Sequence, residues 1–437
     1  MLSPRAPEPE RPTDLGNGSG GEVAGRRVAL VEFSPSGGLF QFAFHLGEAL
    51  AERGHEVHLF TGPRPELAPR RGLVVHPVLP TWHPGDSAVR SAVYGKLRRG
   101  IRAARLAAAW VVLAVHLRRV RADVVLFSYW RFVLDACGVI GVRALTRPAV
   151  LGIVAHEPVP KSDARNTEVP KSGPVLDAAL SAAWRRMDLV FVLGEHARRT
   201  VVDRWRPAAP VIVVPHGDSS AMAEGASIAP VPDTDPVVLF FGTWQRYKGL
   251  DVLVEAFARV RRELPAARLV LAGAPGADCD VAGLRSRSAA VGNVEFRPGY
   301  VATEDVPRLF GQARVVAVPY TRAMQSGVAH LASGFGRPVV GTSVGDIPAV
   351  VAHGRTGLLV PPGDDETLAD ALLQLLRQPE LATALGEAGR RRVAEGSSWA
   401  TVAEQVEAGF GSTGQVRDGH GVTAPRDGDS GPARESR

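Results

Sequence analysis

Cysteine is scarce. Cys137 and Cys279 are the two in 437 residues, far apart in sequence, and neither belongs to a C-x-x-C pair. That excludes a disulfide framework or zinc ribbon and fits a reducing compartment. Long apolar runs are also missing: none approaches the ~20 residues that span a bilayer. The N-terminus, M-L-S-P-R-A-P-E-P-E, has no apolar core of the kind a signal peptide carries. The expectation is a cytoplasmic protein. Acidic residues are absent from residues 87–122, while arginines recur there from Arg90 to Arg121. Inside that segment runs L-A-A-A-W-V-V-L-A-V, from Leu106 to Val115. Two accounts stay open. One is a helix packed on a sheet with solvated arginines. The other is an amphipathic segment resting peripherally on an anionic membrane face. No aromatic-lined basic groove is evident, so nucleic acid is not an expected partner.

What is present is ordinary globular material. Apolar residues make up 45% and charged residues 22% of the chain. The net charge of +6 and pI near 9.7 favour anionic partners. The length suits two domains, each with its own core.

The chain alternates strands and helices. Residues 1–25 read as a disordered tail, being rich in Pro, Gly and Glu without periodicity. A first unit then runs strand V-A-L-V-E-F, turn S-P-S-G-G, helix, Gly54 and strand E-V-H-L-F. This is a β-α-β unit with parallel strands. It places Gly37 and Gly38 at the carboxyl edge of the first strand, where open α/β sheets bind ligands. Further strands are expected near Val124–Phe127, Val150–Val154, Leu189–Leu193 and Val211–Val214. Alternation of this kind indicates a doubly wound α/β domain. After the strand L-G-I-V the loop A-H-E-P-V-P-K carries His156, whose imidazole can donate to a substrate oxygen or move a proton near neutral pH. The first domain is placed at 26–216, a linker at 217–235 and a second α/β domain at 236–396. A helix in 397–410 is positioned to cross back to the first domain, and 411–437 read as a second disordered tail.

Two stretches of the second domain organise the rest. In V-V-L-F-F-G-T-W-Q-R-Y-K-G-L, Arg246 and Lys248 sit between the end of a strand and the start of a helix. In V-V-A-V-P-Y-T-R-A-M-Q-S-G-V, Ser326 is a natural N-cap for a helix from about Gly327 to Phe335. A helix start offers free N–H groups and partial positive charge. Two such starts with neighbouring cations make a site for a nucleotide diphosphate.

These landmarks, in this order, resemble the family 4 glycosyltransferases. They are the Gly37-Gly38 loop, His156, P-H-G at 215–217, F-G-T-W-Q-R-Y-K-G, Q-S-G-V, G-R-P-V-V-G-T-S-V-G-D-I-P and T-G-L-L-V-P-P-G-D. The resemblance covers about residues 27–410 and implies the GT-B fold, two Rossmann-like domains facing across a cleft. It further implies a nucleotide-diphosphate sugar on the second domain and a hydroxyl acceptor, lipid-linked, glycan or small-molecule, on the first. Lys248 and Arg246 would hold the diphosphate with Ser326, Gly327 and Val328. Tyr300 would approach the base, and His156 would lie by the transferred bond. Retention of anomeric configuration and no resident metal or other cofactor are implied as well.

The chain departs from that pattern. Aligning on Gly336-Arg337-Pro338-Val339 puts Ala323 and Leu331 where the family often has two glutamates. Gln325 stands as a substitute, as in the branch that reads Q-S-G here. Thr243 replaces the usual arginine after the strand glycine, and Ala349 a common glutamate. Two other readings therefore stay open: a nucleotide-sugar epimerase, and a non-catalytic nucleotide-sugar-binding protein.

Overall fold

The computed structural model describes residues 25–69, 72–81, 95–130, 132–159, 173–218 and 228–418, with backbone alone for 95–99 and 412–418. The N lobe runs β1 (Arg27–Val31), α1 (Gly38–Glu52), β2 (Glu56–Phe60), β3 (Leu73–His76), α2 (Gly95–Val120) and β4 (Val124–Phe127). It continues with α3 (Val133–Thr146), β5 (Val150–Ala155), α4 (Pro174–Trp184), β6 (Leu189–Val192), α5 (Glu195–Trp205) and β7 (Val211–Val213). The C lobe runs β8 (Val237–Phe241), α6 (Leu250–Glu263), β9 (Arg268–Gly273), α7 (Val281–Val291), β10 (Val294–Pro298), α8 (Val306–Gln312) and β11 (Val315–Val318). Then come α9 (Gly327–Gly334), β12 (Val339–Thr342), α10 (Ile347–Val350), β13 (Gly357–Val360), α11 (Asp365–Arg377), α12 (Pro379–Gly396) and α13 (Trp399–Asp418).

Every strand pairing is parallel. The sheet orders are β3-β2-β1-β4-β5-β6-β7 and β10-β9-β8-β11-β12-β13. Each order reverses once, between β1 and β4 and between β8 and β11. In open parallel sheets the crevice at that reversal, beyond the carboxyl ends, is the binding place.

The local causes are visible in the residues. Parallel strands are covered on both faces, so they read as unbroken apolar runs such as V-V-L-F-F in β8. In α6, Leu250, Leu253, Val254, Phe257 and Val260 are buried at helical spacing, while the arginines of its last turn lie off that stripe. Asp364 caps α11 by accepting from the Thr367 amide at 2.9 Å. Gly249 has φ 68°, and a Cβ there would overlap the Pro319 carbonyl oxygen. That glycine therefore lets the turn after β8 close against the turn after β11.

The last helix returns to the N lobe. Val402, Ala403, Val406 and Phe410 of α13 are buried with α1 and one face of the first sheet, and Glu407 pairs with Arg53. Leu106, Trp110, Val139 and Leu180 cover the opposite face.

Four local expectations need correction. The sequence pattern gave no strand at Leu73–His76; it is a short edge strand with mixed burial. Residues 411–418 continue α13 rather than beginning a tail, and 419–437 lie outside the described residues, as do 1–24. Within 217–235, residues 219–227 lie outside the description, and Val231–Asp233 form a 3-10 turn whose Val231 joins the C-lobe core. Finally, the helical stretch Gly100–Val120 is long and apolar enough, by length and composition, to cross a membrane. Here it packs on the sheet through Leu106, Trp110, Leu113 and Leu117. Arg90, in the acid-free segment, lies outside the described residues.

Candidate functional site

A cavity of about 560 Å³ lies between the carboxyl edges of the two sheets. Its walls come from the loops after β1, β2, β4, β5, β6 and β7 on one side and after β8, β9, β10 and β11 on the other.

The two helix starts singled out in the sequence converge there. A Cβ on Gly242 would lie 3.1 Å from Lys248 Nζ and 3.6 Å from Val328 Cγ2. The ammonium and the first turn of α9 therefore flank one point at the strand reversal. Lys248 is only 8% exposed, and its Nζ lies 5.3 Å from the centre of the Tyr320 ring, in cation–π range. Ser326 caps α9, its hydroxyl accepting from the Ala329 amide at 3.2 Å. Gly327 and Val328 line the cavity at the first two positions of α9, where the amides have no intrahelical acceptors.

Arg246 is not brought to this point. It is exposed, absent from the cavity lining, and its amide donates to Asp278 Oδ2 at 3.2 Å. Residues 246–248 form a 3-10 turn. At three residues per turn, positions two apart point about 240° apart, so Lys248 faces inward and Arg246 outward. The second cation of the cavity is Arg322, which lines it with its guanidinium 5.8 Å from the Tyr247 ring centre.

On the N-lobe side, Gly37 and Gly38 line the cavity at the start of α1. The Gly37 amide donates to Glu66 Oε2 at 2.9 Å, and Tyr300 of the C lobe donates its hydroxyl to Glu66 Oε1 at 2.6 Å. Thr303 also bonds Glu66, and Gln41 reaches Thr303 Oγ1 at 3.3 Å. Burial and then this hydrogen bond raise the Tyr300 phenol pKa above its ordinary value. A second bridge joins the lobes: Asp346 accepts from the His196 and Ala197 amides at 2.9 and 3.2 Å, capping α5 from across the divide. A Cβ on Gly194 would overlap that carboxylate.

His156 is 3% exposed at the cavity wall, with its ring 4.6 Å from Phe42. Its Nε2 has no hydrogen-bond partner among the described residues. Burial, and secondarily His216, lower its pKa to about 3. His216 is lowered by burial to about 4 and stacks on His330 with centres 4.7 Å apart. These imidazoles are neutral at physiological pH. Each offers one N–H and one acceptor nitrogen, so His156 is set up to hydrogen-bond a neighbouring hydroxyl. Gln325 Oε1 is likewise buried without a partner among the described residues.

Ala323 and Leu331 both line the cavity. The carboxylates that line it come from the facing side instead: Glu66, Glu157 and Asp218. Among the described residues, no group of three or more His, Cys, Asp or Glu is placed to hold a metal ion. Sequence reasoning missed Glu66 and Arg322, and it named His216 only as part of the P-H-G landmark. Arg322 had a signal, since it lies in the same T-R-A-M-Q-S-G loop as Gln325. Glu66 had none.

Comparison with known proteins bears on the fold and the family likeness. Residues 37–217 match the family model described as "Glycosyl transferase 4-like domain", and residues 235–378 match "Glycosyl transferases group 1". The chain is 31% identical over 235 residues to a D-inositol 3-phosphate glycosyltransferase of Corynebacterium aurimucosum, covering 50% of this chain and 56% of that one. It is 30% identical over 248 residues to a GDP-mannose-dependent alpha-(1-6)-phosphatidylinositol monomannoside mannosyltransferase of Mycobacterium tuberculosis, covering 53% and 64%. The chain thus spans less than two thirds of the length of these curated relatives. Among solved structures, sucrose-phosphate synthase from Thermosynechococcus elongatus superposes with a TM-score of 0.67 at 23% identity, over 90% of this chain and 99% of that one. Anabaena HepE in complex with UDP-glucose gives 0.65 at 15% identity, over 89% and 100%. The fold is GT-B.

Proposed function

We propose that the chain is a two-domain glycosyltransferase that moves a hexose from a nucleotide-diphosphate sugar to a hydroxyl acceptor with retention of configuration, a reading supported by the family matches over residues 37–217 and 235–378. The observation that carries this reading is the convergence of Lys248 Nζ and the first turn of α9 on Gly242. Breaking the bond between the anomeric carbon and the diphosphate leaves negative charge on the departing nucleotide. Fixed positive groups in a partly dry site stabilise that charge as it develops. Lys248, Arg322 and the α9 amides take this role, which in other sites falls to a divalent ion.

The diphosphate spans from these groups toward the Gly37-Gly38 turn, with the base near Tyr300 and the sugar below His156. The neutral His156 donates to a sugar hydroxyl. Gln325 Oε1 accepts from another, where the usual carboxylates are replaced by Ala323 and Leu331. The acceptor hydroxyl attacks from the face the diphosphate leaves. Its proton passes to a phosphate oxygen, so no protein nucleophile takes part. The UDP-glucose carried by HepE and the GDP-mannose named for the mycobacterial relative support a nucleotide-sugar donor of this class.

The missing glutamates favour a second reading, binding without turnover. Incubation of the full chain with a panel of nucleotide-sugars, with and without candidate acceptors, separates the cases. Transfer appears as nucleotide release that depends on the acceptor. Sugar conversion with donor alone indicates an epimerase, and donor binding without release in any mixture indicates a binding protein.

A further inference from the structure

One outer face of the N lobe does not fit a solvent-facing role. In the apolar part of α2, only 33% of the residues are buried in the protein. Leu106, Trp110, Leu113 and Leu117 point into the core. The opposite side carries apolar residues as well: Ile101, Val111 and Val115 are 52%, 65% and 43% exposed, and Ala104 and Ala108 are exposed between them. Positions 101, 104, 108, 111 and 115 recur at three- and four-residue spacing, so they form one stripe along the helix. Clustered exposed apolar surface of this kind marks an interaction site, unlike single exposed residues.

The stripe has a neighbour. Trp110 Nε1 donates to Asp135 Oδ1 at 3.1 Å, which fixes α2 beside the start of α3. That start carries Phe132, Val133 and Leu134, exposed by 51%, 38% and 37%. Its charge setting is one-sided. Arg105, Arg118 and Arg119 are exposed on α2, and residues 87–122 contain no acid. The apolar edge also leads to the cavity. Tyr129 lines the cavity three residues before Phe132, a span of at most roughly 10 Å of chain.

We infer that this face, the outer stripe of α2 with the start of α3, rests on an anionic lipid bilayer, and that the hydroxyl acceptor is a bilayer-resident lipid whose headgroup enters the cavity past Tyr129. An apolar stripe seated at the headgroup boundary and flanked by arginines is the arrangement that binds anionic lipid surfaces. A soluble protein partner would cover the apolar stripe equally well. It gives no reason for an acid-free flank or for an apolar edge that ends at the site. The acceptor half of the inference rests on the transfer reading of the cavity; the membrane half does not.

The test uses the full chain with vesicles of phosphatidylglycerol mixed with phosphatidylcholine, and with phosphatidylcholine alone, in flotation. Nucleoside diphosphate binding, read by thermal shift, serves as the control for folding and for the cavity. The chain is expected to float with the anionic vesicles, less so as salt is raised. Arg118→Ala and Arg119→Ala should each lower the vesicle partition about fivefold, the equivalent of about 1 kcal/mol per cation near the surface. Val111→Asp with Phe132→Asp should abolish flotation and leave the nucleotide-induced shift intact. No flotation of the parent chain, or flotation unchanged in the Asp variants, overturns the inference. Flotation without any nucleotide-induced shift upholds the membrane face and overturns the cavity reading together with the lipid acceptor.

Discussion

The Tyr300 hydroxyl of the C lobe donates to Glu66 Oε1 of the N lobe at 2.6 Å, across 234 positions of sequence. The other oxygen of the same carboxylate accepts from the Gly37 amide. One side chain thus joins the start of α1, the loop after β2 and the loop after β10 at one end of the cavity. Glu66→Ala should loosen the closed arrangement and lower stability by about 1 kcal/mol, the typical net worth of a partly exposed hydrogen-bonded contact. Small-angle scattering of the ligand-free chain should show a larger radius of gyration, and urea unfolding an earlier midpoint. Unchanged values in both would mean that the bridge holds nothing.

Asp346 makes the second bridge. Its two oxygens cap α5 from the opposite lobe. Asp346→Ala should cost about 1–2 kcal/mol, as loss of a helix cap does, read by the same urea titration. Asp346→Asn keeps one acceptor oxygen and should lose less. Equal losses in the two variants would assign the effect to charge rather than to capping.

The buried histidines set an acid limit. In the unfolded chain a histidine takes up a proton below about pH 6.5. In the fold, His156 does so only at about 3 and His216 at about 4. Their folded values are lowered, so protons bind the unfolded chain preferentially. Stability is therefore full above about pH 6.5 and falls as pH drops below it, by up to about 1.4 kcal/mol per pH unit for each such group. Unfolding free energies measured from pH 7.5 down to 5.5, above the carboxylate range, should show this slope, and His216→Asn should flatten it. A flat profile in the parent would refute the neutral, desolvated placement. Turnover should show no inflection from His156 between pH 5 and 8.

The central architecture was legible because it rests on local rules. Unbroken apolar runs gave most of the strands of both sheets, helical spacing gave α6, and Ser326 and Asp364 announced their helices as caps. Direction within a turn was not legible. Arg246 and Lys248 read as a pair in sequence, and only the 3-10 geometry of the turn separates them. Arg322 stood in a loop already singled out, with nothing local to say that it faces the cavity. Contacts between lobes left no trace, because Glu66 with Tyr300 and Asp346 with α5 are set by how two finished domains meet. Edge strand β3 was missed for a different reason. Its four residues are half solvated and lack the apolar run that marked its neighbours.

The most direct test of the cavity compares Lys248 with Arg246. Affinity of the full chain for nucleoside diphosphates and nucleotide-sugars should be measured by calorimetry for Lys248→Ala and Arg246→Ala. Lys248→Ala should weaken binding by about 2 kcal/mol, roughly thirtyfold, as loss of a charge-assisted contact does. Arg246→Ala should stay within about twofold of the parent, as expected for an exposed cation outside the site. Equal losses, or a loss in Arg246→Ala alone, would contradict a diphosphate seated between Lys248 and the start of α9.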